Sequence, residues 1–152
     1  MNNYRLRTLT IDDYDAVYAL WQQTEGMGLG ESDTREAISV FLDRNCGLSL
    51  VALGDQGQIM GAVLCGHDGR RGYLHHLAVA LAFRKQGIGR ALVNEGLTRL
   101  AALKIQKVNL FLFANHGEGR TFWLHQGWTA REDIVLVQKV LKPDSGEKRC
   151  SC

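Results

Sequence analysis

The chain has little that would tie it to a membrane, a metal or an oxidising compartment. Its longest unbroken apolar run is the seven residues Leu77–Phe83, against the roughly 20 that a membrane-spanning helix needs. The opening MNNYRLRTLT has none of the apolar centre of a signal peptide, so a cytoplasmic protein with no membrane partner is expected. Four cysteines are present, Cys46, Cys65, Cys150 and Cys152, without CxxC spacing. No two histidines have the helical spacing of metal ligands, so no metal is expected. Cys46 and Cys65 read as reduced and partly buried. The net charge is only +2, with both signs interleaved. That leaves no broad basic field, and nucleic acid is not an expected partner.

What remains is the composition of a folded globular chain, 45% apolar and 22% charged. At 152 residues it fits one domain. No repeat or linker divides it. We read residues 1–142 as a single domain and 143–152, opened by Pro143, as a polar tail.

Tyr4–Leu9 alternates as a first strand. Thr10 caps a helix from Ile11, whose buried stripe is Ile11, Tyr14, Val17, Tyr18 and Trp21. After the glycine-rich 26–30, Asp33 and Glu36 have capping-box spacing for a second helix running to about Asn45. Leu48–Leu53, Gln58–His67 and Tyr73–Ala80 read as strands, followed by a long helix from Ile88. Val108–Phe113 is apolar enough for a central strand. A short helix around Gly119–Gln126 and a last strand near Ile134–Val140 complete the pattern. The order β-α-α-β-β-β-α-β-α-β predicts an α/β fold, a central mixed sheet with helices on both faces.

The informative segment is Arg84-Lys85-Gln86-Gly87-Ile88-Gly89-Arg90, between the fourth strand and the long helix. First-turn N–H groups of a helix have no intrahelical partner and carry partial positive charge. Gly87 and Gly89 allow a phosphate close to the backbone, and Arg84, Lys85 and Arg90 add cations. A phosphate-bearing ligand is expected. The ending of a Walker loop is absent, and the GxG lies far from the first strand, where a dinucleotide fingerprint would sit.

With the preceding Leu77-Ala78-Val79, this loop resembles the acetyl-CoA signature of the GCN5-related N-acetyltransferases, the GNAT superfamily. The similarity extends to Asn115 and to Phe122-Trp123-Leu124-His125-Gln126-Gly127-Trp128. The resemblance implies a GNAT-like acyl-CoA N-acyltransferase fold and acetyl-CoA as co-substrate. It puts the backbone of Leu77, Ala78 and Val79 against the pantetheine arm and the pyrophosphate on residues 84–90. Asn115 and Trp123 would complete the cofactor site. Trp123 stands where many members carry a tyrosine that protonates the leaving thiolate, and an indole N–H is no useful acid.

Freeing the lone pair of a lysine-like amine at pH 7 costs about 4.6 kcal/mol, whereas a thiolate leaving group costs about 2 kcal/mol. A base therefore matters more than an acid. Strand positions matching the family's proton acceptors carry His75 and Tyr73, which by simple alternation share a face with Leu77 and Val79. His75 also reads as a hydrogen-bonded core histidine. His76, on the opposite face by the same alternation, reads as packing against a helix, and His116 and His125 as exposed. No cysteine lies in a motif for an acyl-enzyme, so direct attack is expected.

By resemblance the acceptor site lies near the first two helices, where Trp21, Glu25, Glu31 and Asp33 occur. Glu25 and Glu31 would attract a cationic amine, although both also read as solvated loop charges. The expected activity is N-acetyl transfer to a small-molecule or peptide amine. The alternative is an acyl-CoA sensor that retains the fold without turnover. Relatives commonly dimerise, so a homodimer is a further implication.

Overall fold

The computed structural model describes residues 3–141. The first helical segment begins where Thr10 donates its N–H to the Asp13 carboxylate at 2.9 Å. That carboxylate is also gripped by Arg7 at 2.8 and 2.9 Å, which holds its pKa below the usual carboxylate range. A 3-10 turn over Ile11–Asp13 therefore precedes helix α1, Tyr14–Gln22, so the α-helix proper starts three residues later than expected. Helix α2 spans Arg35–Arg44, and its cap is Thr34, whose hydroxyl accepts the Ala37 N–H at 3.2 Å. Asp33, expected as the cap, lies instead in a separate 3-10 turn, Glu31–Asp33.

Five strands lie in the sheet in sequence order: β1 Tyr4–Thr8, β2 Leu50–Gly54, β3 Ile59–His67, β4 Gly72–Val79 and β5 Val108–Asn109. The first four pair antiparallel, and β5 returns parallel to β4 after helix α3, Ile88–Ala102. Helix α4 spans Gly117–His125. Helices α1 and α2 cover one face, over Val51, Leu53, Ala62 and Leu64. Helix α3 covers the other, over Leu50, Ala52, Val63 and Cys65. Burial on both faces explains why β2 and β3 read as nearly unbroken apolar runs. Gly96 lets α3 sit tight on β3, because a Cβ there would lie 2.8 Å from the Cys65 sulfur.

The mixed sheet with helices on both faces matches the expectation, and the C-terminal third departs from it. Only Val108 and Asn109 of the expected central strand pair, and they form the edge of the sheet. Phe111 and Phe113 are exposed, so the apolar character of 108–113 serves a wall beyond the sheet. No strand occurs at 134–141 among the described residues. Val135 and Val137 are each 86% exposed. A strand needs an edge to pair with, and the chain that continues from β5, 110–113, has itself left the ladder. The expected tail, 143–152, lies outside the described residues.

Candidate active site

Strand β4 has eight residues but pairs with β5 only at Gly72–Val108 and Tyr73–Asn109. From Leu74 onward the two chains part. A cleft of about 1380 Å³ opens between 75–79 and 110–113, bounded by the 24–33 loop, the 84–90 turn and α4. This exceeds the roughly 300–1,000 Å³ of common small-ligand sites. The β4 backbone facing the split has no strand partner there, which leaves polar groups for an extended ligand.

One end of the cleft is the turn. Gly87 is the residue before α3 and has φ +82°, a left-handed conformation that glycine adopts without penalty. No atom lies within 4 Å of where its Cβ would be, so backbone conformation, not crowding, asks for glycine. At Gly89 a Cβ would meet Phe122 and Val79 at 3.5 and 3.6 Å, ordinary contact. Arg84 donates Nε–H to the Val79 carbonyl at 3.0 Å and so braces the turn against the end of β4. Arg84, Lys85, Gly87, Ile88, Gly89 and Arg90 all border the cleft, as do Leu77, Ala78 and Val79. Gln86 does not.

Two expected cofactor contacts fare differently. Asn115 is exposed, in the turn before α4, and does not border the cleft. The residues following β5 leave the sheet and carry it away. Trp123 borders the cleft but is mostly core, 8% exposed and edge-on to Phe122 and Trp128 at 5.1 and 5.0 Å. Its bulk goes into packing α4 onto the α3 side of the sheet.

The other end is made of side chains. Opposite β4, Ala62 faces Ala78 and Leu64 faces His75, so two steps along β3 match three along β4. The extra residue is a bulge, and within it His76 has φ +52°. A bulge re-aims the side chains that follow it. The alternation expected from sequence therefore fails here. His75 packs edge-on to Phe41 of α2, and His76 lies 4.9 Å from the Trp21 ring of α1. Both imidazoles thus lie on the α1–α2 side, whereas Leu77 and Val79 pack against the α3-side core.

His75 borders the cleft with Tyr73 stacked parallel at 6.1 Å and Phe111 at 6.4 Å. Burial pushes its pKa down, the neighbouring His76 adds to this, and Asp33 opposes it. It is thus neutral at physiological pH, the form that accepts a proton. Tyr73 is half-buried behind it and does not border the cleft.

His76 Nε2 lies 2.7 Å from Asp33 Oδ1. Sequence reading missed this pair because the partners are 43 residues apart. Glu25 and Glu31 border the cleft. Trp21 is 1% exposed and does not, so it is a core residue and not a substrate contact. His116, expected to be exposed, is half-buried against Gly26, whose Cβ would lie 2.9 Å from its ring. Cys65 is buried, with its thiol pushed up to about 12 by burial, and Cys46 is exposed instead of partly buried. Among the described residues no three metal-ligating side chains converge, and no helix is long and apolar enough to cross a membrane.

A mixed sheet that splits beside a glycine-bearing helix terminus defines an α/β acyltransferase fold. The chain belongs to the acetyltransferase (GNAT) family, whose sequence model matches residues 14–128. It is 26% identical over 139 residues to the acetyltransferase SG1711 of Sodalis glossinidius (strain morsitans), covering 91% of this chain and 96% of that protein. It is 33% identical over 107 residues to the acetyltransferase ECA0875 of Pectobacterium atrosepticum, covering 70% and 74% respectively. The PaiA N-acetyltransferase of Thermoplasma acidophilum, solved in complex with coenzyme A, shares the fold. Its TM-score is 0.75 at 17% identity, over 88% of this chain and 94% of that one.

Proposed function

We propose that this acetyltransferase moves the acetyl group of acetyl-CoA to a primary amine by direct attack. The observation that carries the reading is the continuity of the cleft. It runs from the cationic helix terminus at 84–90, along the free edge of β4, to a wall holding two imidazoles and two exposed carboxylates. A diphosphate suits the first end and a cationic amine the second.

In this reading the pyrophosphate rests on the N–H groups at the start of α3. The pantetheine arm lies along Leu77, Ala78 and Val79, and a backbone N–H near Val79 polarises the thioester carbonyl. The amine nitrogen bonds to the carbonyl carbon, the C–S bond breaks, and coenzyme A leaves as a thiolate. With a thiol pKa of about 8.5 that step needs little acid, which fits a core tryptophan at position 123. His75 takes the proton that the nitrogen sheds after bonding to carbon, and passes it to thiolate or solvent. Tyr73 keeps its ring in place. Glu25 and Glu31 draw the acceptor to the cleft mouth. A protonated thiol at Cys65 supports direct attack over an acyl-enzyme.

One observation favours a second reading, an acyl-CoA sensor: Trp123, which by the sequence resemblance stands where many members carry a tyrosine, is packed into the core. Calorimetric titration with acetyl-CoA, then incubation of the complex with a panel of amines while following free thiol, separates the two. Binding with amine-dependent thiol release is the expected result. Binding without release on every amine would favour the sensor, and no binding would overturn both.

A further inference from the structure

The acetyl-transfer reading, on which this inference rests, leaves one proton unassigned. An amine that arrives as an ammonium must lose a proton before it attacks and another afterwards. His75 serves the second. The first needs a group that meets the acceptor before the thioester does.

We propose that Asp33 and His76 form that group, with His76 as the base and Asp33 as the residue that positions it. Asp33 is held at three points. Its Oδ2 accepts the Gly30 N–H at 3.0 Å, its carbonyl accepts the Tyr14 hydroxyl at 2.6 Å, and Oδ1 meets His76 Nε2 at 2.7 Å. A carboxylate oxygen can only accept, so Nε2 carries the hydrogen, and in the neutral ring Nδ1 carries the lone pair. Nδ1 makes no hydrogen bond to another described residue. The side chain of Asp33 is 9% exposed and that of His76 is 21%. Both side chains border the cleft, the carboxylate nearly buried and the imidazole the more exposed of the two.

The backbone supports the assignment independently. A histidine at φ +52° is uncommon, and such conformations collect at functional sites. The bulge sets His75 and His76 on the same side of the sheet, beside α2 and α1, where plain alternation would put them on opposite faces. The Trp21 ring, tilted 58° at 4.9 Å, fixes the imidazole plane. The titratable and charged groups beside His76 are Asp33 and its neighbour His75, with the Tyr14 hydroxyl behind Asp33 and Arg35 over the Tyr14 ring; Glu25, Glu31 and His116 border the same cleft.

The step balances simply. Nδ1 takes a proton from R–NH3+ to give neutral R–NH2 and an imidazolium countered by Asp33. After acetyl transfer the imidazolium returns its proton to water.

Two variants test the pair, using the amine that gives the fastest thiol release. Asp33→Asn keeps an acceptor for the Gly30 N–H but presents an amide N–H to Nε2, which forces the wrong tautomer. His76→Asn removes the imidazole with a residue that tolerates the left-handed backbone. Both are expected to bind acetyl-CoA as the wild type does and to lose on the order of 10²–10⁴-fold in kcat/KM near neutral pH. The deficit should shrink by about tenfold per pH unit towards the amine's own pKa, about 10.4 for a lysine-like amine. Histidine-ring NMR of the wild type is expected to show the Nε2–H tautomer at His76. A purely structural role would leave the shape of the pH profile unchanged. Wild-type turnover that persists in variants with intact acetyl-CoA binding would overturn the dyad alone, as would an Nδ1–H tautomer. No thiol release from the wild type on any amine would overturn the transfer reading and the dyad with it.

Discussion

The two ends of the cleft are made of different materials. The 84–90 end is backbone: a left-handed glycine, a helix terminus, and three exposed cations that steer more than they shape. The other end is side chain, assembled from α1, a 3-10 turn, α2 and a bulged strand that meet only in the folded chain. A backbone site tolerates change in its neighbours but fails when its own conformation or charge is altered. A side-chain site depends on partners far away in sequence, and its failure should appear in turnover before it appears in binding.

The sharpest way to break that contrast is Gly87→Glu. Glutamate would sit at a φ of +82° and put a negative charge where the diphosphate is proposed to rest. Loss of acetyl-CoA binding by more than 10³-fold is expected, roughly 4 kcal/mol. Because no atom crowds the site, thermal stability should fall by only about 1 kcal/mol, the order of a left-handed non-glycine residue. Calorimetry alongside thermal melting separates the two effects, and unchanged affinity would remove the pyrophosphate from this turn.

The next effect is smaller and should be of the opposite kind. His75→Ala leaves the helix terminus untouched, so acetyl-CoA affinity should stay within about twofold. Turnover should fall by about 10²-fold through loss of a proton acceptor. Steady-state kinetics with both substrates varied would show this as a drop in kcat. Wild-type turnover in this variant would return His75 to a packing role among Tyr73, Phe41 and Phe111.

The same division explains what could be read in advance. The turn was legible because everything it needs lies within seven residues, and helix-terminus physics acts locally. Strands β2 and β3 were legible because two covered faces force nearly continuous apolar runs, and β1 because its apolar residues alternate. His75 was misplaced relative to Leu77 and Val79 because period-two alternation cannot register one inserted residue, and the partnership of His76 with Asp33 spans 43 positions. Asp33 was legible as one of the carboxylates near the acceptor region, but its partner was not, since capping and ligating carboxylates look the same in a sequence. At 108–113 and 134–140 apolar character was read as pairing, yet apolar character says that a segment can be covered, not whether an edge is offered.

The smallest expected effect concerns stability, and it too separates the ends. The backbone of the helix terminus does not titrate and adds no acid dependence of its own. His75 does, because burial lowers its pKa in the folded protein. Between that lowered value and the unfolded value of about 6.5, the unfolded chain binds more protons than the folded one, so stability rises with pH in this window. On acidification the loss begins near pH 6.5 and levels off once the folded form is protonated too. The lowered carboxylate of Asp13 acts only at more acidic pH, around and below its ordinary range near 4. Denaturant melts of wild type and His75→Phe from pH 5 to 7.5 should therefore diverge, with the wild type losing more stability towards pH 5. Parallel curves would mean that His75 is as well solvated in the folded chain as in the unfolded one. The neutral imidazole assigned to proton transfer would then lose its physical basis.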